Sequence, residues 1–271
     1  MLYYIIGFNY NEIIGNQIGE IIMSFATLMY HEIREQSMLH PEQPSPIKVR
    51  QDYEDKLPSP LFVSLENFEE QMTYLFENKY HTLSLAQVKD YYYHGTVLPE
   101  RSVLLTFDDC YQSIERYAYP ILKKYDFHAV AFVVTGWLNA SREPFQPEQS
   151  VCLIEEDLSK MTDVFEYANH TDRFHTRKSD EVSIIMEASD QEFSNDLDRC
   201  NENHFIQVKD VFAYPFGLYS KQNIDLLRKK GFQLAFTSEG GKNLCDTDPL
   251  LLHRNAIPYF TQLTDFQKIV G

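Results

Sequence analysis

The sequence predicts an α/β fold, a distorted (β/α) barrel of about seven strands. Three observations carry this. Short apolar, β-branched runs alternate with amphipathic helical stretches from residue 25 onward, the pattern of right-handed βα crossovers and a mostly parallel sheet. About seven such units follow one another, which suits a barrel better than a flat sheet. Polar residues gather where the strands end, at His31, Asp108-Asp109, His170 and His253, and in βα barrels the site lies at the carboxyl ends of the strands.

Residues 25–30, FATLMY, read as the first strand, with His31-Glu32 at its end. Residues 34–60 are polar and carry Pro41, Pro44, Pro46, Pro58 and Pro60. They read as a long loop, and such loops in compact domains are often functional. Residues 64–79 form an amphipathic helix, capped by Ser64, with Phe68, Met72, Leu75 and Phe76 as its apolar stripe. Residues 84–93 repeat that pattern with Leu85, Val88 and Tyr92. The run VLLTF over 103–107 is a buried strand that ends in Asp108 and Asp109.

Residues 113–125 read as a helix that Pro120 bends or restarts. Strands are expected over 129–135, 164–168, 210–214, 234–237 and 250–253, and loops over 143–149 and 239–248. Helices are expected over 155–161, 179–203, 221–230, closed by Gly231, and 264–270. Residues 1–23 have no basic start, and Glu12, Asn16, Gln17 and Glu20 interrupt their apolar patches, which fails the signal-peptide template. An N-terminal extension, a short hairpin or poorly ordered, is expected there, ahead of a catalytic domain over 24–271.

With 271 residues and 44% hydrophobic content, the chain can bury a sizeable core. Its net charge of -16 argues against non-specific nucleic-acid binding and against docking on an anionic membrane. No apolar run reaches the length of a spanning helix. Cys110, Cys152, Cys200 and Cys245 are widely spaced, neither a zinc-finger pattern nor a dense disulfide framework, and leave the redox compartment open. The 18 Tyr and 19 Phe suit ordinary core and surface use, or an aromatic-lined sugar groove.

The chemistry concentrates in two places. Two adjacent carboxylates at a strand end do not ionise easily together unless a cation or a shared proton relieves them. Asp108-Asp109 can equally be a polar strand exit. His170 and His175 are five apart, so they share no helix face, and both can reach one ion only if the chain bends between them. Together with Asp109 they can make a site of two imidazoles and one carboxylate that leaves coordination positions open.

The run VLLTFDDCY resembles the first motif, T-F-D-D-G-Y, of the polysaccharide deacetylases, the NodB-homology family of carbohydrate esterases. NHTDRFH resembles the family's second motif, with the extra residue of the branch that deacetylates poly-N-acetylglucosamine of biofilms, and FAYPFG resembles its third. LMYHEI, VSLENFEEQMTYL, YAYPILKKY and FVVTG are similar in order and wording, so the resemblance extends over residues 27–257. It implies a NodB-type barrel that removes N-acetyl groups from a β-linked N-acetylglucosamine polymer (poly-N-acetylglucosamine, chitin-like or peptidoglycan), at the cell surface or outside the cell. It implies a divalent ion, usually zinc, on Asp109, His170 and His175, with Asp108 as the general base. Tyr214, Pro215, Phe216 and Gly217 would form the oxyanion and substrate-binding wall, with the Phe216 N–H as the oxyanion donor. His253 is the candidate acid for the leaving amine, with a backbone-bonded strand-end role as its alternative.

Two departures stand out. Cys110 replaces the glycine after the Asp pair, which is strained if that position needs a positive φ. The third motif lacks the arginine that many relatives use to orient the base, with Ala213 and Tyr214 in its place. A non-catalytic glycan-binding relative is therefore the rival reading. A non-haem iron oxygenase also uses two His and one carboxylate, but its usual order is H-x-D and then a distant His, not Asp first and both His close together.

Overall fold

The computed structural model describes residues 24–271, so the expected extension over 1–23 lies outside the described residues. Six parallel strands run side by side: β1 (Phe25–Tyr30), β2 (Ser102–Asp108), β3 (Ala129–Val133), β4 (Phe165–Asn169), β5 (Val208–Ala213) and β6 (Leu234–Phe236), in the spatial order β6-β5-β4-β3-β2-β1. The register is continuous from β1 to β4, with Tyr30 opposite Phe107, Asp108 opposite Phe132 and Asn169 opposite Val133. It breaks at β4–β5, where pairing shifts between Ala168 and Asn169.

The seventh position around the barrel is irregular. Residues 249–257 lean first on β6, through a single bridge between Leu252 and Phe236, and then on β1, where Asn255–Ala256 pairs parallel with Leu28 and Met29. The strand expected over 250–253 is thus only a bridge, because the segment crosses from one edge strand to the other within a few residues. This crossing closes the distorted barrel.

Strand alternation sorts the core. On β2, Leu104 packs inside the barrel with Phe25, Val130, Phe132, Val211 and Phe236. Val103, Leu105 and Phe107 point outward, against α1 (Leu65–Glu77), whose Phe68, Met72 and Leu75 are buried. The caps follow local chemistry: Ser64 accepts from the Asn67 N–H, and Ser84 and Gln87 form a capping box on α2 (Leu85–His94). Pro120 neither stops nor restarts the helix: one π turn, Ile114–Ala118, runs straight into α3 (Tyr119–Lys124), with Ala118 and Tyr119 both helical.

The long helix expected over 179–203 is three pieces. Arg177–Ser179 and Val182–Ser183 form a hairpin, Ile184–Glu187 one helical turn, and Asp190–Glu202 the helix α4. Ala188 is extended, and the Ser189–Glu192 capping box opens a new helix there. The loop over 34–60 is also more ordered than expected. Its Ser45–Lys48 pairs with both Lys56–Leu57 and Ser150–Val151, laying the segment over the carboxyl end of the barrel. Behind α4 come α5 (Lys221–Lys230), closed by Gly231, and α6 (Leu263–Val270).

Candidate active site

Asp108 is the last residue of β2, on the inward face that Leu104 and Thr106 share. Regular alternation would send Asp109 outward. Instead the backbone turns left-handed at Asp109 (φ 70) and again at Cys110 (φ 56), and both carboxylates stay buried beneath the cavity. Cys110 therefore occupies a conformation that favours glycine, while its thiol is buried in the core between barrel and helices.

His170 follows β4, and His175 lies beyond a bend in which Thr171 has φ 79. The bend expected from their spacing is present, and one ligand atom from each of Asp109, His170 and His175 lies within 4.8 Å of the others. Asp109 Oδ1 is 3.5 Å from His175 Nε2 and 3.8 Å from His170 Nε2, and it is buried with no hydrogen-bond partner. His170 Nδ1 is 2.8 Å from the Ala213 carbonyl, so it carries the proton and leaves Nε2 free to ligate. Burial holds both imidazoles below their ordinary pKa, in the neutral form that binds metals. Burial and then the charge of Asp108 push the Asp109 carboxyl up to about 8, a cost that a cation between the three groups would remove. An unpartnered buried oxygen facing two neutral imidazoles fits a divalent ion.

Asp108 is the opposite case. Burial raises its pKa, but the Arg254 guanidinium, with His170 and His31, outweighs burial and holds the carboxyl below the usual carboxylate range. Arg254 is 1% exposed, donates from Nη1 to Asp108 Oδ1 at 2.7 Å, and is steadied by a second bond from Nε to the Thr237 carbonyl. The arginine absent from the third motif is thus supplied by the segment that closes the barrel.

Several predicted residues fall elsewhere. Phe216 and Gly217 line the cavity, but Tyr214 and Pro215 do not; Tyr214 is fully buried and donates to the Leu250 carbonyl. Gly217 (φ 70) can only be glycine, since a Cβ there would lie 1.8 Å from Ser238 Oγ. His253 is outside the cavity lining. Its neighbour Arg254 points inward, and the His253 ring packs on the Gly241 side. Two imidazoles face Asp108 Oδ2: His170 Nε2 at 3.9 Å and His31 Nε2 at 3.7 Å, and burial lowers the pKa of His31 to about 4. Its place at the end of the first strand was the available signal. The cavity is about 310 Å³, and Tyr53, Trp137 and Phe216 give it aromatic walls. Asp55 on the covering segment accepts from Arg177 Nε at 2.7 Å across its mouth.

A distorted barrel of parallel strands with a buried Asp/His/His cluster at its carboxyl end is the arrangement of a protein that could carry a hydrolytic metal site, and comparison with known proteins makes the class specific. The chain belongs to the polysaccharide deacetylase family, whose model matches residues 96–235. It is 30% identical over 182 residues to poly-beta-1,6-N-acetyl-D-glucosamine N-deacetylase of Staphylococcus aureus, covering 65% of this chain and 61% of that protein. It is 26% identical over 215 residues to a putative polysaccharide deacetylase of Bacillus subtilis, covering 79% of this chain and 72% of that one. The fold matches that of a Streptococcus pyogenes deacetylase solved with acetate (TM-score 0.71, 22% identity, 92% and 99% of the two chains). It also matches IcaB of Ammonifex degensii (TM-score 0.67, 22% identity, 91% and 95%).

Proposed function

We propose that this protein is a metal-dependent hydrolase that removes N-acetyl groups from a β-linked N-acetylglucosamine polymer, releasing acetate and a free amine. The observation that carries the reading is the split between the two carboxylates: Asp109 faces two neutral imidazoles, and Asp108, one residue away, is held ionised by Arg254. The name of the Staphylococcus aureus relative supports poly-N-acetylglucosamine as substrate, and the family resemblance of the motifs supports a biofilm or cell-wall setting. Action would then be at the cell surface or outside the cell. Among the described residues, no helix is long and apolar enough to cross a membrane. The catalytic domain is assigned to residues 24–271.

Asp109, His170 and His175 would hold the ion, with zinc the best match to this donor set. When bound, it would polarise the acetyl carbonyl and acidify an attacking water. Asp108, ionised at neutral pH, accepts the proton of that water. His31, with Nε2 3.7 Å from Asp108 Oδ2, is the group proposed to pass the proton to the leaving nitrogen, in place of His253. A neutral imidazole suits a relay better than a standing acid. The Phe216 N–H, on the left-handed turn of the cavity wall (φ 60), is the proposed donor to the developing oxyanion. Tyr53, Trp137 and Phe216 offer flat apolar faces for a sugar ring and an acetyl methyl group. With Arg254 beside the base, the missing motif arginine no longer favours a silent glycan-binding relative.

The test is acetate release from poly-N-acetylglucosamine and from peptidoglycan fragments, before and after dialysis against a chelator and after zinc is restored. Release from the first polymer that is lost on chelation and regained with zinc is the expected result. A protein that binds the polymer yet releases no acetate with zinc present would reject the enzyme reading.

A further inference from the structure

The five-residue spacing of His170 and His175 makes the loop between them a problem of backbone placement, and hydrogen bonds hold most of its backbone from two sides. Its carbonyls are taken from one side: Thr171 by the Thr135 N–H at 3.2 Å, Asp172 by the Gly136 N–H at 2.8 Å, and Arg173 by the Gln51 side chain at 3.1 Å. Two of its N–H groups are taken from the other side by one residue of α4. Asp196 Oδ2 accepts from the Asp172 N–H at 2.8 Å, and Asp196 Oδ1 from the Arg173 N–H at 2.9 Å. Asp196 is fully buried. Asn169 completes the clamp: its Oδ1 accepts from the Thr171 N–H, and its Nδ2 donates to the Leu197 carbonyl and Asn201 of α4.

We propose that Asp196 is a positioning residue that sets the metal affinity of the site, by holding the backbone between His170 and His175 in the only shape that brings both imidazoles to one point. Asp196 touches neither the cavity nor the three chelating side chains, so any effect it has on the metal passes through the loop. The carboxylate is suited to this because it has acceptors only, and each oxygen meets one N–H. An asparagine would turn an NH₂ toward one of those donors, setting two N–H groups against each other beside a buried side chain and pushing the loop away. The loop has little other slack, since a Cβ on Gly136 would already lie 2.4 Å from the Asp172 carbonyl. The proposal rests on the reading of Asp109, His170 and His175 as the metal ligands.

The test compares zinc affinity, measured by competition with a chelating dye at neutral pH, for the wild type, Asp196→Asn and His175→Ala, alongside the thermal midpoint of each protein without metal. Asp196→Asn is expected to bind zinc roughly 10–100-fold more weakly, the usual cost of losing support behind a ligand, while still unfolding cooperatively. Wild-type affinity in Asp196→Asn together with lost affinity in His175→Ala overturns the proposal and spares the site. Wild-type affinity in both overturns the reading of the site itself. Amide hydrogen exchange of the metal-free wild type covers the case in which the variant does not fold. Slow exchange at Asp172 and Arg173 is expected, and exchange there at the rate of an open loop overturns the proposal.

Discussion

The carboxyl end of β2 and the closing segment 249–257 both reach the cavity, by different means. β2 is regular to its last residue, paired on both sides in continuous register, and its two Asp diverge only because the backbone turns left-handed after Asp108. The closing segment has almost no regular pairing, yet it delivers Arg254 to Asp108 with a 2.7 Å bond. The left-handed turn after β2 thus separates Asp109, a proposed metal ligand, from Asp108, and the irregular closing segment sets a cation beside Asp108. Adjacent carboxylates can differ widely in protonation when one has a fixed cation and the other awaits one.

The largest effect is expected on the metal side. Asp109→Asn and His175→Ala should each lose zinc and acetate release together, measured by metal analysis of the purified variants. Full metal occupancy in either would break the division drawn here. Asp108→Asn keeps the shape but cannot take a proton. Its zinc content should stay at the wild-type level while acetate release falls about 10²–10⁴-fold, the usual weight of a general base. Equal metal loss in the two Asp variants would make both of them ligands.

The two imidazoles sharpen the comparison further. His31→Asn should slow acetate release by about 10²-fold or more as a proton-transfer group, and His253→Asn should leave the turnover rate close to that of the wild type. The reverse order would return the proton to the closing segment. Arg254→Met leaves Asp108 buried without its cation, at a cost of about 3–5 kcal/mol of stability in chemical denaturation. It should also shift the acid limb of kcat/KM to higher pH. Arg254 lowers the Asp108 pKa, so without it the base is protonated, and activity lost, at a pH where the wild type still works. An unmoved acid limb would show that Arg254 does not tune the base. The smallest effect belongs to Cys110→Gly. It relieves a left-handed residue and removes a buried thiol, so stability should change by no more than about 1 kcal/mol, with metal content unchanged. A metal-loaded but inactive variant would mean that the thiol takes part.

The clustering of Asp109, His170 and His175 was legible in the sequence because each sits at or just beyond the end of a regular pattern. The run VLLTF ends at the Asp pair, VFEYA ends at Asn169-His170, and the five-residue spacing requires a bend. His31 stood at a strand end in the same way, but with His253 also available, the sequence offered no reason to prefer it. The break at Ala188 was hidden because Ser189 serves equally as a helix residue or as a cap, and only the caps actually formed decide.

By itself, the sequence determined the alternation of strands and helices, the caps, and which residues stand at strand ends. These follow from hydrophobic period and local hydrogen bonding, which act over a few residues. Tertiary structure alone decided that residues 249–257 cross between β6 and β1, turning Arg254 in and His253 out, and that Asp196 of α4 takes the N–H groups of the His170–His175 loop. The partners in these contacts are far apart in the chain, 146 residues for Arg254 and Asp108 and 24 for Asp196 and Asp172. No local pattern records such pairings, because they form only once the barrel closes and the helices pack on it.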